Sequence, residues 1–181
     1  MRSSRRLATA ALSAILLMSA NVWAQTVPRE ERIKAALIFK LVKFVEWPAT
    51  ALTGSAPLQL CAFGNSGVAD ALAAADGKPA RDRIAKFRKP DTLSANDLKG
   101  CHVLYIPAGT RDIASGVPST LRNRGGGLLT ISDQPDFARR GGMIGLSQGE
   151  NKMTFEINLR LAREAGIEPG APLLELATVV D

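Results

Sequence analysis

Three short stretches, LQLCAFG at 58–64, CHVLYIP at 101–107 and GLLTIS at 127–132, are apolar almost without interruption. A strand with one wet face alternates, whereas a continuous apolar run marks a strand covered on both faces. That requirement narrows the fold more than any other feature of the chain. Between and around these runs, VADALAAA at 68–75 reads as a helix and RIAKFR at 83–88 as a further strand. A short helical piece is expected at Ala95–Leu98, and IASGVPSTLRNR at 113–124 reads as helix interrupted by Pro118. Strands alternating with helices at this spacing predict right-handed crossovers and a mostly parallel sheet between two outer layers. The end of the chain differs. GMIGLSQ, the turn GENK and MTFEINL read as an antiparallel hairpin, followed by a helix LRLAREAG closed by Gly166 and a last segment at Leu173–Val180.

The N-terminus carries Arg2, Arg5 and Arg6, then an apolar run from Leu7 to Ala20, then Val22-Trp23-Ala24. This is the layout of a secretory signal cleaved near Ala24, and the apolar run is short for a membrane span. An uncleaved anchor helix is the alternative. The Ser4-Arg5-Arg6 start hints at a twin-arginine route, but the residues after the pair fit the general secretory pathway better. Residues 1–24 are therefore read as a signal peptide and 25–181 as one α/β domain. The net charge of +6 is inflated by the signal: without its three arginines, 20 basic residues face 17 acidic ones. So small and dispersed an excess gives no support for nucleic-acid binding, and no later stretch is long enough to insert into a membrane. Two cysteines, Cys61 and Cys101, remain in an exported chain. An oxidising compartment favours a disulfide between them, while two small buried side chains in neighbouring strands is the alternative.

REERIKAALIFKLVKFVEWP reads as a single helix stopped by Pro48, with Leu37, Ile38, Leu41, Val42, Phe44 and Val45 on one broad face. Phe39 and Trp47 fall on the charged side, either under a loop or facing a partner protein. Catalytic chemistry finds no foothold. His102 is the only histidine, and it stands beside Cys101 with no acidic cluster near it in sequence. There is no zinc-like spacing and no G-x-S-x-G elbow. FGNSGVADAL sits where a phosphate turn would sit, yet it lacks G-x-G-x-x-G and the Walker lysine. A tight turn with Asn65 or Ser66 capping the next helix is the stronger reading. Asp133 ends a strand on the side where open α/β sheets bind ligands, although Gln134-Pro135 after it also suits a cap or turn. No cofactor and no metal site are expected.

DFARRGGMIGL, Asp136–Leu146, sets two arginines and two glycines before an apolar run. Gly141 and Gly142 permit a tight entry into the hairpin. Asn158 is placed to cap the helix after it. Glu156 points away from Phe155 and Ile157, so the hairpin can bring it to Arg139 or Arg140 as an ion pair.

Taken together and in order, IKAALIFKLVKFVEWP, PLQLCAFG, GCHVLYIP, LLTISDQPDFARRGGMIGL and MTFEINLRLAREAGI resemble the YfiR family of bacterial periplasmic proteins, over roughly Glu31 to Val180. The most specific pieces are FVEWP and the pairing of FARRGGMIG with FEIN. The resemblance implies a Rossmann-like α/β sandwich without enzymatic activity. It implies a periplasmic repressor of an inner-membrane diguanylate cyclase of the YfiN type, lowering cyclic di-GMP and biofilm formation, and tending to dimerise. A YfiB-type outer-membrane lipoprotein would sequester it. It also strengthens the Cys61–Cys101 bridge, since relatives carry cysteines at these strand positions. Ala138 and Gly145 stand where some relatives have a second pair. On this reading Arg139, Arg140, Met143, Ile144 and Glu156, with Phe39 and Trp47 on the first helix, are the candidate partner contacts. The competing reading is a small-molecule sensor using the crevice near Gly64, Asn65 and Asp133.

Overall fold

In a computed structural model, residues 27–113, 126–149 and 152–181 are described. The chain enters through α1 (Arg29–Leu41), a 3-10 turn (Val42–Phe44) and the two-residue strand β1 (Val45–Glu46). Then follow β2 (Leu58–Ala62), α2 (Gly67–Ala73), β3 (Pro79–Ala80), β4 (Arg83–Arg88), β5 (Val103–Ile106) and β6 (Leu129–Ser132). The last part comprises β7 (Ile144–Gln148), β8 (Met153–Asn158), α3 (Leu159–Glu164), β9 (Glu168–Pro169), α4 (Ala171–Leu174) and β10 (Thr178–Val180).

Eight strands form one sheet in the order β10-β8-β7-β6-β5-β2-β4-β3. The five strands from β4 to β7 in that order are parallel, and β7 turns antiparallel into β8. This is the mostly parallel sheet of a Rossmann-like sandwich, finished by the antiparallel hairpin. Two details were not foreseen: β10 adds to β8 in parallel, and β3 folds back antiparallel on β4. In β5 all four side chains are buried, Val103 and Tyr105 on one face, Leu104 and Ile106 on the other. The first face is covered by α1 and α2, with Ala162 of α3 and Leu173 of α4 completing it. On the second face Cys61, Leu104 and Ile106 meet Leu98, Ile113 and Phe137 from connecting segments.

The first helix is shorter than its periodicity predicts. It ends at Leu41, and Val45 is extended at φ −113° and ψ 141°. Tertiary pairing overrides the local pattern here. Val45 and Glu46 pair with Pro169 and Glu168, and the Phe44 carbonyl accepts from the Gly170 N–H at 2.8 Å. The valines at 42 and 45 favour that exit, because β-branched side chains are stiff in a helix and fit a strand. The helix expected at Ala95–Leu98 is a turn. Of the interrupted helix expected at 113–124, residues 114–125 lie outside the described residues, as do two residues of the GENK turn.

Cys61 on β2 and Cys101 before β5 form a disulfide, with Cα atoms 5.9 Å apart, closing a separation of 40 residues. Both cysteines are buried. Arg88 organises the approach to it, donating to the Asp97 and Lys99 carbonyls and to Cys101 Sγ at 3.0 Å. The adjacent His102 is structural. Its Nδ1 accepts from the Gln59 N–H at 2.9 Å, so Nε2 carries the proton and donates to the Ala51 carbonyl at 3.0 Å. Burial lowers the imidazole pKa, with Arg83 adding to the effect and the Ala51 carbonyl opposing it, and this keeps the ring neutral. Replacing both cysteines with Ala is expected to cost about 3–4 kcal/mol in the chain-entropy account of cross-links. Urea unfolding of the oxidised protein and the variant measures the difference, and equal midpoints would show that the bridge adds nothing.

Candidate functional site

Two places on this scaffold gather the residues that the sequence singles out. One is the corner that leads from β6 into β7. Asp136 takes a left-handed conformation at φ 56°, which Asp tolerates better than most side chains, and Gly141 does so at φ 97°. Gly142 is required for another reason. A Cβ there would lie 2.1 Å from the ring of the buried Phe137. The corner is fastened from beneath by Asn158. Its Oδ1 accepts the Leu161 N–H at 2.9 Å, capping α3, and its Nδ2 donates to the Ala138 carbonyl at 3.1 Å. Asn158 is itself buried, so the cap and the corner are built as one unit.

On the outside of the corner Arg139 Nη2 donates to Glu156 Oε1 at 2.7 Å, across the hairpin. The Arg139 side chain is 53% exposed and that of Glu156 25% exposed. Arg140 turns the other way, donating to the Ile113 carbonyl at 3.4 Å. Met143 and Ile144 correct the sequence reading. They are 4% and 0% exposed, buried in the core as β7 begins, so they hold the corner and do not form a contact surface. Phe39 and Trp47 are half-buried and packed against the core. The Trp47 indole N–H donates to the His102 carbonyl at 3.3 Å, which fastens the FVEWP segment to the start of β5. Lys43 lies over the Phe39 ring at 4.6 Å.

The second place is the crevice at the carboxyl ends of the parallel strands. The chain runs from β2 out to β4 and returns across β2 to β5, so the order reverses between the neighbouring strands β2 and β5, where α/β sheets bind ligands. Here the crevice is closed by α1. Lys34 reaches down to Asp133 Oδ2 at 3.0 Å and also pairs with Glu30 at 3.0 Å. Asp133 Oδ1 accepts from the Tyr105 hydroxyl at 2.9 Å and from the Ala108 N–H at 2.8 Å. Burial and the Asp133 charge push the Tyr105 pKa up, which keeps its hydroxyl proton in place as the donor. Glu31 lies so close against Gly67, at the start of α2, that a Cβ there would collide with its carboxylate. Ser66 caps α2, accepting from the Ala69 N–H at 3.1 Å. The positions that would receive a ligand are filled by the protein's own side chains. Lys34 and Tyr105 were not singled out by the sequence: Lys34 stands 99 residues from Asp133 and reads as a solvated helix position.

Among the described residues no group of three or more His, Cys, Asp or Glu side chains could hold a metal ion, and no helix is long and apolar enough to cross a membrane.

Burial alone would raise the Asp133 pKa, but the bonds from Lys34, Ala108 and Tyr105 together outweigh it and hold the carboxyl below its ordinary value. The stabilisation is therefore full above the unfolded carboxylate pKa of about 4 and is lost as pH falls through the lower folded value. Asp133→Asn should destabilise by about 2 kcal/mol at neutral pH, as expected for losing hydrogen bonds to a charged group. It should also flatten the acid limb of the stability profile. Urea unfolding across a pH series tests both, and an unaltered acid limb would refute the assignment. A further expectation concerns the corner. A Cβ built on Gly145 lies 3.7 Å from Ala138 Cβ, within the reach of a disulfide. Ala138→Cys/Gly145→Cys should therefore close a second bridge on oxidation, with no free thiol after unfolding; persistent thiols would show that the corner cannot adjust.

The family model described as DUF4154, YfiR/HmsC-like, matches residues 31–178. No curated protein matches the chain in sequence. Among solved structures, a conserved domain protein from Vibrio cholerae O1 biovar El Tor aligns with a TM-score of 0.44 and 13% identity. The alignment covers 83% of this chain and 60% of that one, so the chain spans less than two thirds of that protein's length. The match spans every strand from β1 to β9, the disulfide, the glycine corner and the Asp133 network, and by it the chain belongs to the YfiR/HmsC-like family.

Proposed function

We propose that the protein is exported, loses its signal peptide near Ala24, and represses an inner-membrane diguanylate cyclase of the YfiN type by binding its periplasmic region. Cyclic di-GMP and surface attachment fall as a result. The observation that carries this reading is the family match across residues 31–178. The mature protein acts as a homodimer, and a YfiB-type outer-membrane lipoprotein competes for it. Arg139 and Glu156 form the contact with the cyclase, with Arg140 beside them. This corner suits docking because its backbone is fixed by Asn158 and the Phe137–Gly142 contact while its charges remain at the surface. A rigid charged surface of this kind selects partners by complementarity more than by buried area.

Deleting the gene should raise cyclic di-GMP, and the rise should vanish when a membrane cyclase with a periplasmic domain is deleted too. Arg139→Glu places two carboxylates together at the corner. Its exposed site predicts a folded, exported protein that fails to repress. The swap Arg139→Glu/Glu156→Arg rebuilds the ion pair in reverse. Repression still absent in the swap supports direct recognition of Arg139, whereas restored repression reduces the pair to a structural role. Normal repression by the single variant would remove the corner from the interface.

A further inference from the structure

Between α1 and α2 runs a groove of about 530 Å³. Ala35, Ala36, Ala71, Leu72 and Ala75 line it, and the Phe39 ring adds an aromatic surface. Small side chains at a helix–helix contact leave volume that larger ones would fill, and this volume lies within the range of small-molecule pockets. The groove is separate from the crevice at the strand ends. Lys34 and Glu31 of α1 close that crevice, while Arg32, Ala36 and Phe39 of the same helix open onto α2.

Its charges are one-sided. Arg32 lines the groove and donates to the Val27 carbonyl at 2.9 Å, and no carboxylate pairs with it among the described residues. Lys78 lines it too, and its ammonium has no hydrogen-bond or ion-pair partner among the described residues. Lys43 stacks on Phe39. The lining carboxylate, Asp70, is already engaged by Lys89 at 2.7 Å. An apolar floor rimmed by cations suits an occupant that is apolar along its body and negative at one end.

We propose that the α1–α2 groove binds a small anionic amphiphile, an apolar chain or ring with an acidic head group. The apolar part lies over the alanines and against Phe39, and the head group meets Lys78, with Arg32 adding to the positive field. A charge-assisted contact is stronger than a neutral one, and here it sits at the exposed rim while the apolar floor takes up the chain or ring. This inference stands independently of the cyclase reading.

The probe is 1-anilinonaphthalene-8-sulfonate, titrated into the disulfide-intact protein and followed by fluorescence. Saturable binding at one site is expected, with displacement by decanoate but not by decylamine at the same concentration. Lys78→Glu should weaken the probe by roughly tenfold, the scale set by losing one charged contact. Ala36→Trp fills the groove from the exposed side of α1 and should abolish binding. Thermal melts confirm that both variants fold, and Lys78→Glu alone decides the matter if the tryptophan does not. Affinity unchanged in Lys78→Glu, or displacement equally by decylamine, would overturn the proposal. So would sedimentation showing a dimer that Ala36→Trp dissociates without any effect on the probe, because the groove would then be an interface between copies.

Discussion

The Asp133 carboxylate is held by three donors from three separate parts of the chain: the Lys34 ammonium on α1, the Tyr105 hydroxyl on β5 and the Ala108 N–H beyond it. A half-buried charge is tolerated only when it is paired and hydrogen-bonded, so the carboxylate fixes all three together. Its position at the end of β6 determines where α1 must lie. With α1 there, the face of the sheet that carries Leu60, Tyr105 and Ile131 is covered, and the crevice at the strand ends is filled. A fold whose usual ligand site lies at that crevice thus has its own helix seated there.

Most of the sheet was legible in the sequence because its signal is local. The runs at β2, β5 and β6 are apolar on both faces, and no other environment would accept them. The last turn of the first helix was misread because 3.6-residue periodicity continues through Trp47, while the partner that pulls the chain into β1 lies at Pro169. The site divides the same way. Asn158 as a helix cap follows from the helix after it, and strand alternation turns Glu156 towards Arg139 or Arg140, of which the structure pairs it with Arg139. The Lys34–Asp133 pair depends on how α1 crosses the finished sheet, and nothing near either residue announces it. Met143 and Ile144 carry a further lesson. A recognisable motif collects the residues that build a corner along with those on its surface, and only burial separates them.

The corner and the groove differ in physical character. At the corner, the backbone is pinned by a buried amide, a packed ring and left-handed residues, so its charges are presented at a fixed spacing. Between α1 and α2, Ile38, Leu41, Val68 and Leu72 are buried in the core, while the groove beside them is lined largely by alanines. Rigid presentation favours selectivity for a partner surface, whereas an open groove lined by small side chains can accept guests of varied shape.

The pairing of β1 with β9 has a temporal consequence. Val45 and Glu46 find their partners only at Pro169 and Glu168, more than a hundred residues further along the chain. Contacts so distant in sequence form slowly, because a long loop must close before they return any stabilisation. A chain emerging from the ribosome N-terminus first therefore cannot complete this ribbon until Glu168 and Pro169 have been synthesised. Until then the segment around Trp47 has no strand to pair with, and α1 has no Asp133 to grip. Such a delay keeps the polypeptide threadable, which suits the export proposed above.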